Sequence, residues 1–450
     1  MEVRDPLYGL VEYGTDEEKI INSIVLQRLR NIKQLALASA VYPGAHHSRF
    51  EHSIGTMHLA GMVAKRLGLE AERPVLRLAG LLHDVGHGPF SHVSEQVMEG
   101  YASDIMAKYH ADGVHELISM MLIERLGSLA GVTLESGVTS GICELLKKQP
   151  RRSLQQGIIS GPLDVDKLDY LRRDSYFAGV QYGAFDLDKV IHSLTRIRIS
   201  SEEEQLGFHE EGVHAVEQLL LAKYHMNVQV YQHRIRRITD AMLVSGIRFA
   251  LEEGVGEVQR LFTVEDSDAY LQYYISNNDN TLMDTVLQKG KEGSRELFQR
   301  IKERKLLKQV FSLEISRDNF PDAVQMDNIL RLSDAQLHQI AQRAVELYSA
   351  TDSRLDPNLV IVDKQTISNP TFKSPQTSID QGTIMVKTKS GQRKAFPDIS
   401  TIFRNPSIDP KVEVLYVYLP LDWLGSKGDR DAFINQRYDT MAEQVMEVVK

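Results

Sequence analysis

The stretch LLHDVGHGPFSH (Leu81–His92) places three histidines and an aspartate within twelve residues, directly after the apolar run RLAGLLH (Arg77–His83). Gly86, Gly88 and Pro89 then interrupt it. Glycine and proline end helices and favour tight turns. The pattern therefore predicts a buried helix that stops at His83 and Asp84 and turns sharply. A helix end followed by a turn explains the backbone but not the crowd of imidazole and carboxylate groups. Those groups are the donor chemistry of a divalent metal site, and such a site needs ligands from elsewhere in the chain.

Two other segments supply them. SRFEHSIGTMHLAG (Ser48–Gly61) puts His52 at the start of a helix, one residue after Glu51. GPLDVDKLDYLRRD (Gly161–Asp174) puts Asp164, Asp166 and Asp169 around a lysine and a tyrosine. Two imidazoles and two carboxylates form a mixed nitrogen and oxygen set. It suits Mn, Fe, Ni or Zn and leaves positions open for water and a substrate oxygen. An ion so held lowers the pKa of its water and offsets charge on a phosphoryl oxygen. By spacing alone, scattered structural histidines remain the alternative.

A chain of 450 residues is long enough for more than one domain. Its hydrophobic content of 42% and charge of 25% are those of a soluble globular protein. No window approaches a bilayer-spanning apolar run, and MEVRDPLYGL lacks the basic start and apolar core of a secretory signal. The single cysteine, Cys143, excludes an internal disulfide and fits a reducing cytosol, so a cytoplasmic location is expected. It lies in GICELLKK, an amphipathic helical pattern, and is read as structural. The net charge of −9 argues against nonspecific coating of nucleic acid. Arg234–Arg237 (RIRR) and the Arg151–Arg152 pair could still line local basic pockets, with solvated helix faces the plainer account.

From about residue 17 to 250, apolar residues recur at three- and four-residue spacings. EEKIINSIVLQRLRNIKQLALA, SIGTMHLAGMVAKRLGL and the long run Val213–Leu251 all read as helix. RIRISSEEEQLGFH (Arg196–His209) is the exception, a short hairpin pattern. A second helical stretch covers roughly 255 to 350 and includes SRELFQRIKERKLLKQVFSL (Ser294–Leu313). After Asp356 the character changes: NLVIVD, TIMVKT and VEVLYVYLP are β-branched and aromatic runs, and the last twenty-odd residues return to helical spacing. The expected architecture is mainly α, a helical catalytic domain over 1–250 and a helical extension over 251–350. A smaller C-terminal α+β lobe follows over 351–450. NPTFKSPQTSIDQG reads as a loop rich in turn formers.

In order along the chain stand DPLYG (Asp5–Gly9), QRLRNIKQL (Gln27–Leu35), YPGAHHSRFEH (Tyr42–His52), HDVGHGPFSH (His83–His92), DVDKLDYLRRD (Asp164–Asp174) and YQHRIRRITDAML (Tyr231–Leu243). This series resembles the HD-domain phosphohydrolases, and within them the deoxynucleoside triphosphate triphosphohydrolase (dNTPase) branch of SAM-and-HD-domain enzymes and their bacterial relatives. The resemblance covers about the first 245 residues well and the C-terminal lobe more loosely. It implies an HD-type helical core and a metal-dependent hydrolase that converts a dNTP to deoxynucleoside plus inorganic triphosphate, by attack of water on the α-phosphorus. The alternative within the same chemistry is a phosphodiesterase or 3′–5′ exonuclease acting on cyclic nucleotides or single-stranded nucleic acid.

Carried over position by position, the resemblance implies His52, His83, Asp84 and Asp166 as ligands of a divalent metal (Mn, Fe, Ni, Zn or Mg). Asp164 and Asp169 then cap or orient the segment around Asp166. His92 falls near the leaving group, with Glu95 one turn on to orient it, and His115 with neighbouring Glu116 is the second catalytic histidine. His87 matches the same glycine-rich turn. Arg49, Lys167 and Lys223 fall at triphosphate contacts, and Tyr170 and Asp174 where the sugar is held. Gln34 and Leu35 match the loop near C2′, and Tyr231 an aromatic of the substrate pocket. Gln27 and Arg30 match a regulatory nucleotide site. There Asn22 replaces the carboxylate that reads guanine, which puts activation by nucleotide in question. Lys223 stands where an arginine is usual, keeping charge but losing bidentate geometry, and Asn227 replaces a histidine. The branch implies a homodimer or homotetramer, with a dNTP as substrate and no membrane partner.

Overall fold

The computed structural model describes residues 1–147, 149, 152–201, 203–316, 319–320, 322–349, 355–368, 383–403 and 411–449. The loop read over 369–382 and Arg151 of the basic pair lie outside these residues. Helices dominate, and the chain divides into two compact units. One comprises Met1–Tyr231, Gly256–Asp284 and Thr371–Ser407; the other comprises Gln232–Val255, Thr285–Pro370 and Ile408–Lys450. This differs from three consecutive segments divided at 250 and 350. The chain passes repeatedly from one unit to the other, because several of its elements find their partners far away in sequence.

The first unit opens with an antiparallel hairpin that periodicity did not suggest, β1 (Glu2–Asp5) and β2 (Gly9–Glu12). Three helices then build the heart of the unit. The helix Arg49–Arg66 starts at Ser48, which forms a capping box with Glu51. It packs against both Arg73–Leu82 and Val165–Ala178. Small residues set these crossings. A Cβ on Gly80 would stand 2.9 Å from the Thr56 carbonyl oxygen, and one on Gly55 only 1.9 Å from Asp169 Oδ1. The Arg73–Leu82 helix stops at His83, as the sequence predicts. Asp164 caps Val165–Ala178 by accepting Lys167 N–H at 2.8 Å, and Gly179 ends the helix with φ 71°.

Further along, the expected hairpin is present as β3 (Leu194–Arg198) and β4 (Glu204–His209). It is extended by two short strands from the C-terminal part of the chain, β7 (Met385–Lys387), parallel to β4, and β8 (Arg393–Ala395). Two long helical readings break up. EEKIINSIVLQRLRNIKQLALA forms short pieces, because Ser23 caps a new helix at Ile24 and the backbone tightens to 3-10 turns at Arg28–Asn31 and Ala38–Ala40. Within Val213–Leu251, a π-helical turn at Asn227–Tyr231 ends the first helix. In the second unit His233 caps the next helix, Arg234–Glu252, through Ile235 N–H.

The second unit packs Arg234–Glu252 on the helix Glu292–Lys302, where Gly246 leaves room for the Phe298 ring. The helix expected through Leu313 ends at Lys302. Arg304 takes φ 57°, and β5 (Lys308–Ile315) follows. Its Val310, Phe311 and Ile315 are buried as parts of a strand rather than as a helix stripe, because β9 (Lys411–Leu419) offers an antiparallel ladder, with a register shift between Gln309 and Phe311. With β6 (Ile361–Ser368) the sheet order is β5-β9-β6, and Leu415, Val417 and Leu419 are buried in one core with the helices Asp334–Tyr348 and Lys427–Val449. Among the described residues no helix is long and apolar enough to cross a membrane.

Candidate active site

The end of the Arg73–Leu82 helix delivers His83 and Asp84 beside His52, and one donor atom from each lies within 4.8 Å of the others. Asp166 joins them, its Oδ1 3.1 Å from His52 Nε2 and 3.7 Å from His83 Nε2. The structure thus brings together all four ligands that the resemblance implied. The donors fit a metal by a stringent criterion: Nε2 of both His52 and His83 is buried and lacks a hydrogen-bond partner among the described residues. Buried polar atoms are rarely left so. His83 Nδ1 faces the Gly80 carbonyl at 2.8 Å, which fixes the tautomer that leaves Nε2 as a lone pair. Burial disfavours charge on His52, but the carboxylates of Asp166, Asp169 and Asp84 around it outweigh that and raise its pKa to about 10.

A second layer holds the ligands, and sequence reading had missed most of it. Asp169 Oδ2 lies 2.8 Å from His52 Nδ1, the carboxylate–histidine pairing that orients metal-bound imidazoles. Asp169 in turn accepts from Tyr8 Oη at 2.8 Å and from Arg173 Nε and Nη2 at 2.7 and 2.9 Å. Arg173 also pairs with Asp5 at 2.9 Å. Asp169 is therefore more than a companion of Asp166. Tyr8 and Asp5 belong to DPLYG, whose position in the sequence gave no hint of contact with the metal ligands.

Three further histidines gather around one carboxylate. Glu95 Oε1 is 2.6 Å from His87 Nδ1, while its Oε2 is 3.2 Å from His115 Nδ1 and 3.4 Å from His92 Nδ1. The expected pairing of Glu95 with His92 is thus the longest of three, and its closest partner is His87. The His87 and His115 rings stack at 4.1 Å, and His115 also meets Glu116 at 3.2 Å. Their acidities split. Burial, helped by Arg49 and His115, pushes His87 down to about 4. Burial acts the same way on His115, but Glu95 and Glu116 outweigh it and raise His115 to about 9. At neutral pH one stacked ring is neutral and the other charged, a separation suited to acid–base work. His92 stands exposed at the rim.

The turn that carries these groups is gripped from several sides. Arg28 donates to the carbonyls of Val85 and His87, each at 2.8 Å, and Tyr274 Oη to that of Gly86 at 2.7 Å. Ser119 Oγ accepts from Gly86 N–H and donates to the His83 carbonyl. The glycines do not supply the left-handed conformations. Phe90 (φ 59°) and Ser91 (φ 56°) do, each strained by roughly 1–3 kcal/mol. Gly86 serves space instead, since a Cβ there would lie 2.1 Å from the His115 carbonyl oxygen.

The remaining candidates flank this centre. Arg49 is buried, its Nη1 2.5 Å from Asp84 Oδ2 and its Nε bonded to Ser91 Oγ at 2.8 Å. Lys167 Nζ bonds Asp164 Oδ2 at 2.6 Å. Asp166, Tyr170 and Asp174 follow one another at four-residue steps and share one face of their helix. Tyr231 Oη donates to Asp174 Oδ2 at 2.7 Å, and its ring sits edge-on to that of Tyr170. Asp174 Oδ1 also meets His47 Nε2 at 2.8 Å, a buried contact that the adjacent pair His46–His47 did not betray. Gln34 and Leu35 are buried, and Gln34 Oε1 has no hydrogen-bond partner among the described residues. Lys223 is half-buried in the last turn of Val213–Met226. Gln27 and Arg30 bond to each other at 2.9 Å, with Arg30 stacked over the Phe50 ring.

Two family models match the chain: the HD domain over residues 49–174 and the HD-associated region over residues 185–391. An uncharacterized protein of Methanocaldococcus jannaschii is 33% identical over 284 residues, 63% of this chain and 57% of that protein. The deoxynucleoside triphosphate triphosphohydrolase SAMHD1 of Homo sapiens is 28% identical over 351 residues, 68% of this chain and 54% of that one. The chain spans little more than half the length of these curated relatives. A phosphohydrolase crystal structure from Bacteroides thetaiotaomicron shares the fold, with TM-score 0.69 at 23% identity over 93% of this chain and 99% of its own. The HD and HD-associated matches, the relatives and the ordered donor set converge: the chain carries an HD domain followed by an HD-associated region, and it is similar to the HD-domain phosphohydrolases.

Proposed function

We propose that the protein is a metal-dependent dNTP triphosphohydrolase, releasing a deoxynucleoside and inorganic triphosphate. The observation that carries this reading is the shared helix face of Asp166, Tyr170 and Asp174. Eight residues of helix span about 12 Å, enough to set a phosphate at Asp166 and a sugar beside Tyr170 and Asp174. That layout, together with the similarity to SAMHD1, favours a nucleotide with a free 3′-hydroxyl over a cyclic nucleotide.

His52, His83, Asp84 and Asp166 would hold the ion. When bound, a divalent ion supplies Lewis acidity toward a phosphoryl oxygen and lowers the pKa of water. Lys167, Lys223 and Arg49 offset the negative charge of the triphosphate. Water adds to the α-phosphorus as the bond to the 5′ oxygen breaks, and His92 at the rim gives that oxygen its proton. Charged His115 faces the developing negative charge. Glu95 keeps His87 and His115 in register. The Asp174–Tyr231 pair reads the 3′-hydroxyl, and Gln34 with Leu35 packs where a 2′-hydroxyl would stand. Regulation through Gln27 and Arg30, and assembly as a dimer or tetramer, belong to the same reading.

The test is incubation of the purified protein with each dNTP and Mn²⁺, singly and in mixtures, with identification of the phosphate product. Tripolyphosphate is expected, and Asp166→Ala should abolish it while the fold survives. Cleavage confined to oligonucleotides or cyclic nucleotides would overturn the reading. Hydrolysis only in mixtures would assign a working regulatory site despite Asn22.

A further inference from the structure

Asp279 is the first residue of the helix Asp279–Lys289, yet it does not cap that helix. Asn278 does so, its Oδ1 accepting from Asn280 N–H at 3.0 Å and Thr281 N–H at 3.2 Å. The Asp279 carboxylate instead turns inward and is 4% exposed. Its Oδ1 accepts from Phe90 N–H at 2.7 Å and its Oδ2 from Lys33 N–H at 3.0 Å. Both partners are backbone amides, and they lie 189 and 246 residues away in sequence. Among the described residues no cation pairs with it directly, and a buried carboxylate in that position is unfavourable, so this one needs an explanation beyond packing.

Each amide belongs to a segment with its own part in the site. Phe90 is left-handed and precedes Ser91 and His92. Lys33 precedes Gln34, whose Oε1 is buried without a hydrogen-bond partner among the described residues. The two segments are stitched a second time, since Ser91 Oγ donates to the Lys33 carbonyl at 2.8 Å. From there, Gln34 N–H donates to the His47 carbonyl at 3.1 Å, and the His47 ring meets Asp174. Asp279 thus closes one clasp on the strained turn that leads to His92 and on the segment that presents Gln34.

We propose that Asp279 is a positioning residue that fixes the spacing between Gln34 and His92, so that discrimination at the sugar's 2′ position and protonation of the leaving oxygen are set together. What Gln34 and His92 meet rests on the dNTP reading above; the clasp itself does not. The chemistry requires a carboxylate. Two N–H donors need two acceptor oxygens, whereas an asparagine offers one and turns its own N–H groups against the other donor. Glutamate keeps both oxygens but displaces them by one methylene.

The experiment compares wild type, Asp279→Asn and Asp279→Glu for kcat and KM on a dNTP and the matching ribonucleotide, with hydrogen exchange at Lys33 and Phe90. In Asp279→Asn, kcat and the preference for the deoxynucleotide should both fall by roughly 10- to 100-fold, the scale of small misplacements in an active site. Bound Mn²⁺ should stay at the wild-type level, exchange at both amides should accelerate together, and Asp279→Glu should restore part of each loss. Unchanged sugar preference in both variants overturns the proposal, even if the melting temperature falls. If Asp279→Asn does not fold, Asp279→Glu carries the same measurements. If wild type hydrolyses no dNTP, the functional reading fails and exchange alone decides. Joint acceleration then supports the clasp, and acceleration at one amide or neither overturns it.

Discussion

Replacing Asp169 by asparagine isolates the layer that holds the metal ligands without touching a ligand. The carboxylate receives four donors, from His52, Tyr8 and two nitrogens of Arg173, all at 2.7 to 2.9 Å. A carboxylate has acceptor sites for all four. An amide has one oxygen, and its nitrogen would face groups that themselves donate, so at least two contacts are lost. Loss of such a partner typically weakens metal affinity about 10- to 100-fold, which is roughly 1.4–2.7 kcal/mol. Folding stability falls too. Breaking a buried charge pair costs about 3–5 kcal/mol, and the Asp5 partner that Arg173 keeps should limit the loss to less than that. Isothermal titration of Mn²⁺ into metal-free Asp169→Asn, with a thermal melt of the same sample, reads both quantities. Wild-type Mn²⁺ affinity in a folded variant would refute the reasoning, because His52 would then not depend on its carboxylate.

Three other expectations concern the scaffold. Burial pushes Asp363 up to about 6, despite a hydrogen bond from Gln365 and the nearby Arg237. Its folded pKa lies above the unfolded value, so its contribution is complete below about pH 4 and is lost as pH rises through about 6. Asp363→Asn should therefore gain about 1–3 kcal/mol in denaturant melts at pH 8 and nothing at pH 4; equal effects at both would contradict this. Burial raises the Cys143 thiol to about 12, so a disulfide-exchange reagent at pH 8 should modify it only after unfolding. Rapid reaction of the native protein would count against that environment. Gly179→Ala should lower stability by about 1 kcal/mol, since the space around Gly179 is open and only its φ of 71° resists a side chain. An unchanged melt would show that the helix end relaxes.

How much of the site the sequence disclosed depended on the kind of contact involved. His52, His83, Asp84 and Asp166 were legible as candidates because metal chemistry restricts residue type, the break after His83 marked where two donors would stand, and the family resemblance selected Asp166 from three nearby aspartates. Asp169, Tyr8, His47 and Asp279 were not, because each works through a neighbour distant in the chain and its type alone admits many roles. The Glu95–His92 pairing is present at 3.4 Å, but it is one of three contacts that Glu95 makes, for a related reason. Three-residue spacing on a helix favoured His92, whereas the tertiary approach of His87 and His115 decided the shorter distances. Helical periodicity was sound over Arg49–Arg66 and Arg73–Leu82. It failed at Ser23 and His233, where a polar side chain restarted the backbone, and at Lys308–Ile315, where a distant strand supplied a better partner than the local turn.

The parallel pairing of β4 with β7 also orders events during synthesis. Gly207 must wait for Met385 before its outer edge is paired. At 5–20 residues per second the delay is roughly 10–40 s, long compared with hairpin formation in microseconds. Throughout that interval the β3–β4 hairpin presents an open strand edge, a template for pairing with another chain. The first unit is therefore finished by residues made long after the hairpin itself. A nascent chain halted before β7 would carry all four proposed metal ligands while its β3–β4 hairpin is still open to the wrong partner.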